Sequence, residues 1–187
     1  MSKKELIRVA AVKIIADEGF FSATTDKIAK ESGMAVGTIY NYFSNKEDIL
    51  RYILDVEFQK RYELYQNVKN SQIDPLLKIE KLLSFHFNEI KKEPNIIKIV
   101  LAEKITASRN KLMPFEKYAK LSAIFSEILN EGIDKGYLKK CDPKIISILI
   151  LGFIEAIMTE FLATKNDKLL ENSIEELINL LKAGLSN

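Results

Sequence analysis

Residues 24–49, TTDKIAKESGMAVGTIYNYFSNKEDI, decide the fold of this chain. Thr24 and Thr25 are suitable helix N-caps, because a hydroxyl oxygen accepts hydrogen bonds from the free amides of a first turn. Gly33 predicts the end of that helix, since glycine takes the left-handed conformation at little cost. The first part of this stretch therefore predicts one short helix followed by a tight turn.

A second short helix is predicted over about residues 35–43, with Ile39 and Phe43 four residues apart on its inward face. Ser44 and Glu47 have the spacing of a capping box and predict that a third helix begins directly afterwards, at Asn45. Helix, glycine turn and helix together predict a helix-turn-helix, whose second helix enters the major groove of DNA.

The second short helix carries groups that suit DNA. Thr38, Tyr40, Asn41 and Tyr42 offer hydroxyl, amide and ring groups to phosphates and base edges. The alternative is that the tyrosines belong to a small helical core, but two tyrosines flanking a polar asparagine make a poor core. Lys46 stands near the start of the next helix, where its charge and the free amides favour a phosphate.

The overall charge does not by itself indicate a DNA-binding protein. The net charge is +2, and residues 1–51 contain eight Lys or Arg and seven Asp or Glu. Binding must therefore depend on where the charges lie. Lys3, Lys4 and Arg8 are candidates for a phosphate contact, and a solvated helix start is the alternative interpretation.

The remaining composition favours a cytoplasmic protein without a membrane span. Cys141 is the only cysteine, so no disulfide forms within the chain. No signal peptide is expected from the amphipathic N-terminal sequence. The longest strongly apolar run, residues 145–154, is shorter than the roughly 20 residues of a membrane span and predicts a buried helix.

Helical spacing continues along the rest of the chain. His86 is the only histidine, which favours a packed core or edge residue over a metal ligand. No catalytic set and no glycine-rich phosphate loop is present, so we expect no enzyme activity, cofactor or metal. Further helices are predicted at about residues 45–70, 75–92, 95–107, 114–135, 143–164 and 172–184.

The N-terminal stretch resembles the DNA-binding domain of TetR-family transcriptional regulators. The likeness rests on a set of residues with fixed spacing: Thr24-Thr25, Ile28-Ala29, Gly33, Gly37-Thr38-Ile39-Tyr40, Tyr42-Phe43 and Lys46-Glu47-Asp48-Ile49-Leu50. The resemblance implies an all-α fold of about nine helices, with a helix-turn-helix domain at 1–48 and a ligand-binding and dimerisation bundle at 49–187. Asp26 departs from the basic residue that some members have there, so no DNA role is assigned to it. The residues predicted to face DNA are Thr25, Gly37, Thr38, Tyr40, Asn41, Tyr42 and Lys46.

The body has large apolar side chains on several helices, which would line a cavity between them or simply pack together. Around residues 85–106 it is similar to the subgroup of the family that senses long-chain acyl-coenzyme A, with cations near a helix junction for the anionic headgroup. The predicted effector-binding residues are Phe58, Tyr62, Phe85, Ile97, Leu101, Lys104, Arg109, Phe115, Phe125 and Met158.

The last two helices are strongly apolar, and the resemblance implies that they pair with their copies in a second subunit. The predicted interface residues are Leu149, Phe153, Ile157, Ile174, Leu177, Ile178 and Leu181. The sequence thus predicts a homodimeric repressor that binds a palindromic operator in double-stranded DNA and is released by a small apolar or acyl effector. The alternatives are an activator or ligand-independent regulator of the same fold, and a helical small-molecule-binding protein without DNA activity.

Overall fold

The computed structural model describes residues 1–110 and 115–186, with the side chains of all of these except 104–110, 115, 116 and 118. This part of the chain forms nine α-helices and one isolated bridge, between Leu138 and Ser186. The prediction of an all-α fold is confirmed. The helices are α1 (Lys3–Glu18), α2 (Thr25–Ser32), α3 (Val36–Tyr40), α4 (Lys46–Lys69), α5 (Pro75–Lys92), α6 (Pro94–Asn110), α7 (Phe115–Asp134), α8 (Pro143–Thr164) and α9 (Asp167–Leu185).

Local capping chemistry places several helix ends where the sequence predicts them. The Thr24 hydroxyl accepts from the amide of Lys27 at the start of α2. Gly33 follows α2 in the left-handed conformation, with φ 68°. Asp142 caps α8, and Pro143 occupies its first turn, where the missing amide costs nothing.

Helix α3 is shorter than predicted. It ends at Tyr40 instead of Phe43, and Asn41 is its C-cap. The amides of Tyr42 and Phe43 both donate to the carbonyl oxygen of Ile39, at 2.9 and 3.0 Å. This tight last turn brings Phe43, which is 5% exposed, into the core while Tyr42 stays outside.

The start of α4 differs by one residue from the predicted capping box. The Asp48 amide donates to the side-chain oxygen of Asn45 at 2.8 Å, and the Ser44 amide donates to the Asp48 carboxylate at 3.2 Å. Asn45 and Asp48 therefore replace Ser44 and Glu47 in the cap. Helix α9 begins at Asp167, five residues before the predicted 172, because Asn166 supplies an N-cap.

The chain packs as two units. The first unit comprises Met1–Gln59 and Glu93–Met113, and the second comprises Lys60–Lys92 and Pro114–Asn187. The boundary thus falls inside α4, and α6 packs with the N-terminal helices. The sequence predicts that residues 1–48 bind DNA and that residues 49–187 bind the ligand and form the dimer. That division concerns function, and it stays a prediction.

The first unit is built around α1, which packs against both α2 and α6. Its innermost side chains are fully buried aliphatic residues from α1 to α4. They are Ile7, Ala11, Ile28, Ile39, Ile49, Leu50 and Ile53. Such close packing holds α2 and α3 in a fixed orientation on α1 and α4.

The second unit is a bundle in which α5 packs on α7, α8 and α9, and α7 packs on α8. Its core also contains a buried charge. Lys78, which is 1% exposed, donates to the Glu131 carboxylate at 2.6 Å and to the last carbonyl oxygen of α4, at Lys69, at 2.8 Å. These bonds fix the end of α4 to α5 and α7.

Helix α8 is less enclosed than the sequence predicts for a buried helix. Ile145, Ile148 and Leu149 are 56%, 56% and 61% exposed. In the described part of the chain, α8 alone has the length and apolar composition to cross a membrane, a property that it shares with core helices of soluble proteins. Its exposed apolar face is a candidate interface, since contiguous exposed apolar surface marks an interaction site.

Candidate nucleic-acid interface

The outer face of α3 is open to solvent. Tyr40 and Tyr42 are 53% and 43% exposed, and Asn41 between them is also exposed. A Cβ atom added at Gly37 would meet nothing within 4 Å, so the backbone on this side is free to approach another surface. Thr38 is partly exposed. Five of the residues that the sequence assigns to DNA are therefore exposed or partly exposed within one short segment, namely Gly37, Thr38, Tyr40, Asn41 and Tyr42.

Buried residues hold this face in place from behind. Ile39 is completely buried beneath α3, and the Phe43 ring lies 5.5 Å from the Tyr52 ring of α4. The Lys4 ammonium lies 4.2 Å from the centre of the Tyr52 ring, within the range of a cation–π contact. Contacts with α4 and the buried side chains of Ile39 and Phe43 therefore hold α3 in place.

A hydroxyl pair joins α2 to α3. The Thr25 Oγ1 and Tyr40 Oη atoms lie 3.2 Å apart, and either can be the donor. Each hydroxyl has one donor and two acceptor positions, so a bond between them leaves capacity for a phosphate oxygen or a base edge. The structure therefore brings together Thr25 and Tyr40, which the sequence predicts separately.

Lys46 has partners that sequence reasoning does not predict. Its ammonium donates to the carbonyl oxygens of Phe20, Phe21 and Ala23, at 3.1, 3.1 and 3.2 Å. It also lies 4.8 Å from the centre of the Phe20 ring. These partners are 23 to 26 residues away in the chain, so no local sequence pattern predicts them. The predicted phosphate contact of Lys46 stays a prediction.

Four cations of the first unit are paired with carboxylates of the same unit. Arg8, which is 8% exposed, donates to Glu5, and this hydrogen bond is the main cause of its raised pKa. Arg8 is therefore a structural residue, whereas Lys3 and Lys30 have no ion pair among the described residues. The other ion pairs join Lys13 to Glu31, Lys27 to Glu18 and Arg51 to Asp48.

The structure does not test whether the residues predicted to bind an effector form one site. Ile97, Phe125 and Met158 are buried, with exposed fractions of 1%, 0% and 5%. Others are partly exposed, namely Phe58, Tyr62, Phe85 and Leu101. The side chains of Lys104, Arg109 and Phe115 lie outside the described residues. Because these positions are distributed over both units, the predicted effector site stays a prediction.

His86 lies in a polar cluster inside the second unit. Its Nε2 atom is 3.3 Å from the sulfur of Met158, and its Nδ1 atom is 3.4 Å from the hydroxyl oxygen of Tyr65. Burial, and to a smaller extent the positive charge of Arg61, lowers the pKa of His86 from 6.5 to about 3. The ring is therefore neutral at physiological pH. Among the described residues, no group of three potential ligands lies close enough to hold a metal ion.

The predicted dimer residues separate into two sets. Leu149 is 61% exposed, and Phe153, Ile157, Ile174 and Leu177 are partly exposed. Ile178 and Leu181 are only 3% and 9% exposed, so they already pack inside the second unit and have little surface left for a partner. Leu180, which the prediction omits, is 68% exposed and belongs to the free face of α9.

Comparison with known proteins identifies the helix-turn-helix. Residues 7–53 match the family described as bacterial regulatory proteins, tetR family. The fatty acid metabolism regulator protein of Bacillus subtilis is 28% identical over 180 residues, which are 95% of this chain and 93% of that protein.

Solved structures extend the likeness over nearly the whole chain. A transcriptional regulator FadR from Bacillus subtilis, in complex with stearoyl-CoA, is 30% identical, with a TM-score of 0.82 over 93% of this chain and 96% of that one. The fatty acid degradation regulator FadR from Bacillus halodurans is 27% identical, with a TM-score of 0.83 over 95% of each chain. This chain belongs to the TetR family of bacterial regulatory proteins, and its helix-turn-helix is that of a DNA-binding transcription regulator.

Proposed function

We propose that the protein is a homodimeric repressor that binds a palindromic operator and leaves it when a long-chain acyl-coenzyme A binds to its body. The observation that carries the DNA half of this proposal is the open face of α3. Tyr40 and Tyr42 present rings and hydroxyl groups to solvent that suit phosphates and base edges, and Asn41 between them can read a base edge. Thr25, Gly37 and Thr38 complete the surface.

The exposed apolar residues of α8 and α9 support the dimer. Ile145, Ile148, Leu149 and Leu180 would be covered by the same residues of a second copy, because a two-fold interface brings one patch against itself. A dimer of this kind presents two recognition helices roughly 34–36 Å apart, which is about one turn of DNA. The operator is then a palindrome with that half-site spacing.

The acyl effector is proposed from the likeness to the FadR structure that contains stearoyl-CoA. A fatty chain suits the apolar residues predicted on the helices of the body, such as Phe85, Phe125 and Met158. The anionic headgroup suits the predicted cations Lys104 and Arg109. Regulation follows if the effector changes the distance between the two heads through α4, the helix that contributes residues to both units.

The energy required for this control is small. A coupling of about 1–3 kcal/mol between effector and operator changes the affinity 5- to 150-fold. Since both half-sites must be engaged together, even a modest change in head spacing removes the advantage of bivalent binding. The proposal includes a cytoplasmic location and no catalytic activity, in line with the regulators that the chain resembles.

Selection of bound duplexes from random DNA, with and without palmitoyl- or oleoyl-coenzyme A, tests both halves. We expect a palindrome to be enriched without ligand and the enrichment to disappear with the acyl ester, while coenzyme A without an acyl chain leaves it unchanged. Isothermal calorimetry measures the acyl ester directly. No binding in the micromolar range would end the effector proposal, and no enrichment of any duplex would end the DNA proposal.

Two alternatives have separate signatures. An activator or a ligand-independent regulator also enriches a palindrome, but its footprint lies upstream of the promoter or is unaffected by the acyl ester. A helical small-molecule-binding protein without DNA activity binds the ester and enriches no duplex.

A further inference from the structure

A cavity of about 160 Å³ lies within the first unit, between the end of α1 and the middle of α6. Its volume is close to the roughly 150 Å³ of an engineered protein cavity that binds benzene. The walls come from the last turn of α1, the loop that follows it, and one face of α6. A molecule of about seven non-hydrogen atoms would therefore fit inside.

The cavity has a buried apolar floor and an accessible mouth. Ile15 and Ile99 line it and are only 4% and 2% exposed, and Phe20 adds an aromatic wall. Gly19 and Ala102 also line it, but both are exposed to solvent. A small molecule can thus enter from solvent without separating α1 from α6.

Glu103 adds a charged group to this largely apolar cavity. It is only 5% exposed, although it lines the cavity. Burial raises the pKa of its carboxyl group, because the ionised form loses the stabilisation that water gives. A carboxylate has about four acceptor positions, so it can bind a donor from a ligand in addition to a partner within the protein. A cation that enters the cavity would restore the stabilisation that burial removes.

The cavity is separate from the residues predicted to bind the acyl effector. Of that set, Ile97 and Leu101 lie on α6, and each precedes by two positions a residue of the cavity, Ile99 or Glu103. Two positions correspond to about 200° of rotation around an α-helix, so the two pairs point to nearly opposite sides. The cavity therefore uses a different face of α6.

We infer that this cavity binds a small amine, whose ammonium group pairs with Glu103 and whose apolar body fills the space beside Ile15 and Ile99. The apolar walls favour a compact hydrocarbon, and the buried carboxylate favours a cation over a neutral or anionic group. Lys98 also lines the cavity, but its side chain is exposed and solvated. The alternative ligand is an anion, which Lys98 would attract and Glu103 would repel.

Three probes of similar size distinguish these ligands: cyclohexylamine is cationic, cyclohexanol is neutral and cyclohexanecarboxylate is anionic. Two-dimensional NMR of the full chain without DNA measures their binding through amide shifts. We expect cyclohexylamine to saturate with a Kd in the low millimolar range or tighter, as is reasonable for about seven non-hydrogen atoms. The shifts should centre on Ala16, Ile99 and Glu103.

The other two probes should bind less well. Cyclohexanol should bind at least about fivefold more weakly than the amine, because it forms a neutral hydrogen bond instead of a charged one. Cyclohexanecarboxylate should not saturate in the same concentration range.

Substitutions locate the site. Glu103→Gln should weaken the amine at least about tenfold and change the affinity for cyclohexanol less than about twofold. Ala16→Leu should weaken both probes, because it places a larger side chain in the cavity. Ala102→Leu narrows the exposed mouth and gives the same test without disturbing the buried floor. Asp17→Asn removes an exposed carboxylate of α1 outside the cavity, and this control should bind the amine like the wild type.

Three results would overturn the inference. They are no saturation by cyclohexylamine in the millimolar range, equal affinity for the amine in Glu103→Gln and in the wild type, and tighter binding of the carboxylate than of the amine. Because the samples contain neither DNA nor an acyl ester, each of these results leaves the proposed function intact. A protein that binds the amine and no duplex would end the proposed function and support this inference.

Discussion

Lowering the pH should destabilise the protein through His86. The pKa of this residue is lowered from 6.5 to about 3 on folding, chiefly by burial. Between these values the unfolded chain takes up a proton that the folded chain does not, so the free energy of unfolding falls as the pH falls. At pH 5 the folded ring is still neutral, and the unfolded ring is almost fully protonated. The difference between pH 7 and pH 5 is then about 2 kcal/mol.

Replacement of His86 by glutamine isolates this contribution, because glutamine keeps hydrogen-bonding groups near Tyr65 and Met158 but does not titrate. We expect urea unfolding at fixed protein concentration to show that the wild type loses about 2 kcal/mol more than His86→Gln between pH 7 and pH 5. Asn88→Gln, an exposed substitution on the same helix, should behave like the wild type. Equal losses in the wild type and in His86→Gln would refute the reasoning.

Three further results are expected from the described side chains. Tyr42→Ala should weaken operator binding at least about tenfold in fluorescence anisotropy, because it removes an interaction worth more than about 1 kcal/mol in each of two heads. Tyr137→Ala removes an exposed tyrosine outside the first unit and should leave operator binding unchanged. Glu131→Gln should lower the free energy of unfolding in urea by about 2–3 kcal/mol, because it leaves the buried ammonium of Lys78 without a counter-charge. Lys78→Met should lower the free energy of unfolding by less, since the Glu131 carboxylate keeps its ion pair with Lys135. Leu149→Glu should convert the dimer into monomers in sedimentation velocity, because the two-fold axis brings two new charges into one apolar interface.

The features that the sequence predicts correctly are those set by neighbours along the chain. The Thr24 cap, the left-handed Gly33 and the Pro143 start depend on bonds within a few residues, and all three lie where predicted. The cap of α4 is displaced by one position because Ser44 and Asn45 are both good N-caps. In the structure the Asp48 amide donates to the side chain of Asn45, and the Asp48 carboxylate accepts from the Ser44 amide.

Features that depend on distant partners are not readable from the sequence. The spacing of α9 predicts an apolar stripe, but Ile178 and Leu181 face the protomer core while Leu180 faces outward. Which part of a stripe is covered depends on how α5 and α8 pack against it. The carbonyl partners of Lys46 present the same difficulty, since they lie 23 to 26 residues away in the chain.

The partly paired charge of the first unit bears on the proposed regulation. Non-specific binding to DNA comes almost entirely from cations that neutralise phosphates, and Arg8, Lys13, Lys27 and Arg51 are paired with carboxylates of the same unit. Because these carboxylates lower the net charge of the head, a larger share of the operator affinity has to come from the fit of two α3 faces to two half-sites. In the proposed mechanism, an effector that changes their spacing removes that share. A head with the same cations and no paired carboxylates would keep more charge attraction to DNA after the same movement.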